Sequence, residues 1–478
     1  MTYASGFGAV GDGVADDTAA LQHALDDGGA TLRLAAGTYR ITRPLVIDLT
    51  RRGYSAVQGE HGTARLLMAG PGPALRIMGD HRGTAVPHSV TPQTWERERF
   101  PAICGLEIVG DHPEAVGIEL RKTTKAVVSQ VLVRRCRIGV HLVERNRDFM
   151  LADAHLYDNR EYGLLFDQCN LHQAIVHGCH ISWNTLAGIR AVGGETHNLQ
   201  IVGNDIEYNN LTADGRPPDP QVLAAHPGGA EILFECRTGR VSEVTISGNT
   251  IQATPQRGGA NIRIMGADVG PPPAADAPRE VWQGSAFLVA VTGNVLGSQW
   301  RAVELAGVCR ATFTGNTIYG ATDHAVVATR STGLVFSGNT LGWQGRDFQT
   351  IPPGEGLDGL RFEDCDNVVL SGLATQRLGG AGDAAAITLL RCRDSSVSDC
   401  QLLDPLHGGV DLVECERCRV ANNTIVDRRD RPRMAHAVRI GGGSRHTLVT
   451  GNIVGGATVA PILAAAGTAD VRDNLVVT

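Results

Sequence analysis

Lysine is almost missing from this chain. It stands only at Lys122 and Lys125, so nearly all the basic charge is arginine. Aromatic residues are scarce too, at 5% of 478 residues. No run of about 18 apolar residues occurs, which excludes a membrane-spanning helix and gives no reason to expect a membrane partner. No signal peptide precedes the patterned sequence, which Met1 enters almost directly. The expected location is therefore the cytoplasm, or a secreted or periplasmic compartment reached after a leader is removed. A disulfide framework is also lacking, because the 11 cysteines are odd in number and scattered. Cys415-Glu416-Arg417-Cys418 is a lone CxxC with no second pair, and reads as small buried residues at a corner. A net charge of −7 argues against nucleic acid as a partner.

What the chain does have is a recurring Gly-Asn signal. It appears as VGNDI, SGNTI, TGNVL, TGNTI, SGNTL and TGNIV, with Asn at 204, 249, 294, 316, 339 and 452. The gaps of 45, 45, 22, 23 and 113 set a unit of about 22–25 residues, the period of a solenoid. Each unit carries short β-branched runs broken by Gly, Asn or Asp, which is strand and turn rather than helix. AHLYDN, CHISWN and NDIEYN recur 25 residues apart and put Asn159, Asn184 and Asn209 in one column. Such a column is a structural device first, with each amide bonding its own turn and its stacked neighbours. The 59 glycines suit a chain that turns every few residues. The expected fold is all-β: a parallel β-helix whose core grows by stacking coils.

Residues 7–41 differ. Asp16 or Asp17 can cap a helix whose apolar face is Ala20, Leu21, Ala24 and Leu25, and Gly28-Gly29 ends it. An open solenoid end exposes core and unpaired strand edges, so this helix is expected to plug it. Phe7-Gly8-Ala9, Gly11-Asp12-Gly13, Asp16-Asp17-Thr18 and Gly37-Thr38-Tyr39 together resemble the N-terminal signature of the pectate-lyase-like superfamily. That resemblance implies a right-handed helix and a place among polysaccharide lyases, polygalacturonases, epimerases and phage tailspikes, without fixing the reaction. It also makes a homotrimer with parallel axes a candidate assembly. One domain is expected over 1–478, with the cap and first coils in 1–60 and regular coils over 105–478. Pro/Gly-rich loop insertions are expected near 211–229, 266–284 and 343–359.

Two outward columns carry chemistry. The first is read as Glu119, His141, Leu165, Arg190, Glu231, Arg263, Glu304, Val327, Arg361, Thr388, Asp411 and Arg439, a ladder of mostly alternating charge. The second begins His155, His180, Asp205 and Thr250, flanked by Tyr157, Ser182 and Glu207 and by Asp158, Trp183 and Tyr208. Coils 154–248 thus concentrate acids, imidazoles and aromatics beside the first insertion. Paired carboxylates suit glycosidic-bond chemistry and aromatic faces suit sugar rings. The expectation is a carbohydrate-active enzyme acting on an oligo- or polysaccharide. Glu231 pairs with Asp205 or Glu207 as acid and base, with His180 orienting the proton. Trp183, Tyr208, Arg190, Arg263, His155, Asp158 and Glu304 are the expected substrate contacts. Gly229-Ala230-Glu231-Ile232 after an acid-bearing strand also resembles the catalytic coil of inulin fructotransferases and related difructose-anhydride enzymes.

No metal or other cofactor is expected on that reading. The polygalacturonase series of motifs is absent, and His407-Gly408-Gly409 only echoes it. A lyase or uronate epimerase would use an arginine base among Arg190, Arg263 and Arg361, with calcium at Asp153, Asp158, Asp205 and Glu207. A third reading is a non-catalytic, tailspike-like glycan binder.

Overall fold

The computed structural model describes residues 2–83, 86–211, 229–254, 258–267, 285–342, 358–379 and 385–477. The bulk of each of the three expected insertions lies outside the described residues. The chain divides into two compact units, Met1–Thr245 and Ile246–Thr478. Both are built of strands that pair in parallel with the strand one coil later. In the first unit Ile138–Ala152 pairs with Tyr162–His177, which pairs in turn with Ala187–Val192 and Glu195–Val202. In the second, Val295–Ala306 pairs with Thr317–Thr329, which pairs with Thr340–Gly342 and Asp358–Glu363.

The helix expected near the N-terminus spans Thr18–Asp27 and buries Leu21, Ala24 and Leu25. Asp17 sits at its N-cap position but bonds elsewhere, taking the backbone N–H groups of Val10 and Gly11 at 2.6 and 3.0 Å. Asp16 instead accepts from the N–H of Thr18 at 3.0 Å. Gln22 does the work of an edge strand. Its amide donates to Val46 O at 3.0 Å and accepts from Val46 N at 2.8 Å, closing backbone groups that would otherwise be open.

Stacked coils place like residues over like. In the second unit Phe313 and Phe336 stack at 4.5 Å between centroids, and Phe362 meets Phe336 edge-on at 5.5 Å. The asparagine columns follow the same rule. Asn159 donates to Asn184 Oδ1 and Asn184 to Asn209 Oδ1, each at 2.8 Å. In the second unit Asn249, Asn294, Asn316 and Asn339 form a chain of such bonds at 2.9, 3.0 and 2.9 Å. Each amide also serves the backbone: Asn316 Oδ1 accepts from Asn294 N at 3.0 Å and its Nδ2 donates to Val291 O at 3.0 Å. The same turn position is then filled by Leu373 and Cys400. The ladder resumes at Asn423, Asn452 and Asn474 with bonds of 2.9 and 2.8 Å.

The first charge column is correct in register for most of its length. Glu119, His141, Leu165 and Arg190 pair in succession. So do Arg263, Glu304, Val327, Arg361, Thr388, Asp411 and Arg439 in the second unit. Glu231 is the exception. Ala187 pairs with Ala230 and Ile189 with Ile232, so Arg190 faces Leu233 and Glu231 takes the place of Gly188. That position is glycine on the preceding coils, at Gly139, Gly163 and Gly188, because a Cβ there would lie within 3.2 Å of the Asn159, Asn184 or Asn209 amide nitrogen. Glu231 therefore points at the ladder instead of at solvent. It is 0% exposed, and its Oε2 accepts from the Nδ2 of Asn209 and from Asn209 N at 3.3 Å.

Two stability outcomes follow. Asn316→Leu takes the acceptor from the Asn294 backbone N–H and the side-chain donor from the Val291 carbonyl, at about 1–3 kcal/mol for each stranded group. A clear drop in the guanidinium midpoint is expected, and an unmoved midpoint would show that the ladder contributes nothing. Glu231→Gln keeps an acceptor for Asn209 and should unfold near the wild-type midpoint. Glu231→Leu removes it and should lower the midpoint on the same scale of about 1–3 kcal/mol; equal midpoints for the two variants would contradict the ladder role.

Candidate functional site

Three short strands of the first unit carry the second column: His155–Tyr157, His180–Ser182 and Asp205–Glu207. They stack in parallel with His155 on His180 on Asp205, and Tyr157 on Ser182 on Glu207. Alternation turns Leu156, Ile181 and Ile206 fully into the core and sends His155, Tyr157, His180, Asp205 and Glu207 outward, while Ser182 is covered at 2% exposed. The spacing between coils then decides the contacts. The imidazoles of His155 and His180 stack with centroids 5.8 Å apart. His180 Nδ1 lies 3.2 Å from Asp205 Oδ2, with both side chains partly open to solvent. One donor atom each from His180, Asp205 and Glu207 falls within 4.8 Å of the others. Among the described residues this is the one such grouping of three.

The remaining expected contacts are placed differently. Asp158, Trp183 and Tyr208 occupy the left-handed position of successive turns, with φ of 55°, 57° and 55°. Trp183 and Tyr208 lie parallel at 4.5 Å. Each ring has therefore given one face to the other, and a sugar could meet only an outer face or an edge. Burial raises the Asp158 carboxyl above its ordinary pKa, against the pull of Arg135, Arg134 and Arg160.

The arginines expected to reach substrate are held by the protein itself. Arg190 contacts Glu235 through Nε and Nη2 at 2.7 and 2.6 Å, and its guanidinium sits 4.9 Å from the Tyr162 ring centre. Burial pushes the Tyr162 hydroxyl up to about 12. Arg263, in the second unit, grips Glu304 twice at 2.7 Å, and Glu304 also takes Arg301 at 2.8 Å. Glu304 and Arg263 thus form a largely covered cross-strand ion pair. The sequence reading missed a second buried cluster, in which Asp411, only 2% exposed, takes His436 Nε2 at 2.7 Å and Arg439. His436 lies just inside the strand His436–Ile440, three residues before the column position Arg439, which is why a column count did not pair it with Asp411.

Calcium fits this site poorly. Calcium prefers six to eight oxygen donors, whereas the grouped set offers two carboxylates and an imidazole. An imidazole-containing set suits a transition metal better.

Comparison with known proteins agrees with this architecture. Residues 301–476 match the model described as "Right handed beta helix region". Residues 4–58 match the model described as "Rhamnogalacturonase A/epimerase, pectate lyase-like". No curated protein matches the sequence. Among solved structures, a mutant tailspike protein of E. coli bacteriophage HK620, in complex with a pentasaccharide, is similar at 12% identity and a TM-score of 0.56. The match covers 94% of this chain and 80% of that one. The Dettilon tailspike protein is similar at 16% identity and a TM-score of 0.51, over 97% of this chain and 68% of that one. At such identities the likeness concerns the fold. The chain folds as a right-handed parallel β-helix, and its residues 4–58 are similar to the pectate-lyase-like model.

Proposed function

We propose that the protein is a carbohydrate-active enzyme that cleaves a glycosidic bond on the face formed by His180, Asp205 and Glu207. One observation supports this reading above the others: the donor atoms of these three side chains converge within 4.8 Å on a half-open surface. Glu231 drops out of the pair, because it is 0% exposed and occupied by Asn209. Asp205 and Glu207 sit two residues apart on one strand and face the same way. Their separation is nearer the spacing of about 5–5.5 Å used by retaining enzymes than the spacing of about 6.5–9.5 Å used by inverting ones.

In this scheme Asp205, held by His180, attacks the anomeric carbon while Glu207 gives its proton to the leaving oxygen. A glycosyl ester on Asp205 forms and the glycosidic C–O bond breaks. Glu207, now a carboxylate, takes a proton from water. That water opens the ester and returns Asp205 to its carboxylate. His180 is a positioning residue. The arginine-base lyase reading loses two of its three candidates, because Arg190 and Arg263 are each bound twice to a carboxylate, and keeps Arg361, which makes one contact with Glu363 at 3.3 Å.

Mass spectrometry of products from a panel of neutral and acidic glycans tests the proposal. Products should gain one water. Asp205→Asn and Glu207→Gln should each lower turnover by about 10²–10⁴-fold with an unchanged thermal midpoint. Full activity in both variants sinks the assignment. Water-free products with new ultraviolet absorbance would mean a lyase, and water-free products without it an intramolecular transferase.

A further inference from the structure

The second unit carries a slot made by a missing side chain. Gly297, Tyr319, Gly342, Gln376 and Leu403 occupy one outward position on successive coils. Tyr319 does not stand up from the sheet. A Cβ on Gly297 would lie only 2.1 Å from its Cζ, so the ring is laid down across that glycine. Its hydroxyl and Gln252 Oε1, two coils away, are 2.9 Å apart, which pins the ring in this pose. On the other side stands Gly342. Among the described residues, a Cβ there would meet nothing nearer than Gln376 O at 3.8 Å. Neighbouring strands lie about 4.8 Å apart, so the backbones of Tyr319 and Gln376 flank an opening of about 10 Å. The resulting cleft is about 350 Å³ and also takes in Thr317, Thr340 and Gln401.

The lining decides what could enter. Among the described residues, its lining contains no ionisable group except the tyrosine phenol. Elsewhere on the sheet, arginine and carboxylate alternate; here the outward residues are hydroxyls, amides, an aromatic ring and Leu403. Asp404, which takes the Gln376 amide at 3.4 Å, is bound by Arg428 through two nitrogens at 3.2 and 2.7 Å. That pairing holds the Asp404 carboxyl down to about 2, so its charge is matched within the protein. A charged ligand would lose hydration in this cleft and gain no counter-charge. A purely apolar ligand would leave hydroxyls and amides unmatched. A pyranose ring satisfies both demands, with C–H bonds on one face for the tyrosine and hydroxyls around its rim for threonine and glutamine.

We propose that the slot over Gly342 binds an uncharged pyranose unit of a glycan chain. The ligand class is read from this lining alone and needs neither Asp205 nor Glu207. The ring of Tyr319 is the platform, Thr317, Thr340 and Gln401 supply donors and acceptors along its rim, and Gln376 closes the far side. The glycine is the determinant, since any larger residue at 342 fills the space the sugar takes.

Gly342 has an ordinary backbone conformation and, among the described residues, open space beside its Cα, so Gly342→Leu should fold normally and plug the slot. Binding is measured by calorimetry in the Asp205→Asn background, which keeps the glycan intact if the unit-one site cleaves it. The probes are neutral gluco-, manno-, galacto- and N-acetylglucosamine hexasaccharides, with hexagalacturonate as the charged counterpart. At least one neutral probe should bind, insensitively to salt. Gly342→Leu and Tyr319→Ala should each weaken it by about tenfold or more, with Gly342→Leu at the parental thermal midpoint. If no neutral probe binds, if only hexagalacturonate binds, or if Gly342→Leu binds as tightly as its parent, the proposal is overturned. Should Gly342→Leu not fold, Gln401→Ala at the exposed rim is read instead, and undiminished binding overturns it. Catalysis by Asp205 and Glu207 stands or falls separately, because these readouts are affinities and not turnover.

Discussion

A parallel β-helix turns its chain about three times per coil, and every turn leaves backbone donors and acceptors aimed at the interior. Those groups must find partners without water. The stacked side-chain amides meet that need here. Asn184, for example, accepts through Oδ1 from Asn159 and donates through Nδ2 both to Asn209 and to Leu156 O at 3.0 Å. Because each amide bonds its counterpart one coil on, the ladder also fixes which residue lies over which. The outward columns inherit that register, and so does any site built on them.

The same rule explains two different kinds of surface. Where opposite charges stand on neighbouring coils, the repeat distance brings guanidinium and carboxylate into two-point contact, directly at Arg263 over Glu304 and diagonally at Arg190 with Glu235. Those groups are spent on each other. Where the column instead sets imidazole over acid, as at His180 and Asp205, the contact is single and the side chains stay partly open. Reactivity is thus expected where the stacking is mismatched. In the second unit the mismatch is one of size: a tyrosine lies over one glycine and borders another.

Much of this was readable from the chain. The Gly-Asn spacing fixed the coil length, and the column from Arg263 to Arg439 was assigned residue for residue. The cap helix and the Asn159, Asn184 and Asn209 column were also visible. The error at Glu231 has a specific origin. The segments Tyr162-Gly163-Leu164-Leu165, Ala187-Gly188-Ile189-Arg190 and Ala230-Glu231-Ile232-Leu233 share a frame in which the second residue is glycine until the last. Glutamate in a glycine column looks like an outward acid shifted by two, and the preceding insertion hid the coil boundary. The glycine frame was the available signal. Trp183 and Tyr208 were placed on the right coils, but recurrence 25 residues apart already meant that they would stack on each other. The Gly342 slot was harder to see, because its content is an absence and the ring that frames it belongs to the coil before.

Leu373 and Cys400 break the amide chain between Asn339 and Asn423. Neither side chain offers an amide to hand on, so at this corner the amide-to-amide relay stops, and Asn423 bonds the backbone of the coil before it, at Cys400 N and Val397 O. Cooperativity in a stacked array depends on how strongly each repeat is coupled to the next. The interruption is a weak link of that kind. Amide protons of the C-terminal coils would then exchange as a separate, faster group than those of coils 294–339, and the protein would fray from this end to a defined stop before it unfolds as a whole.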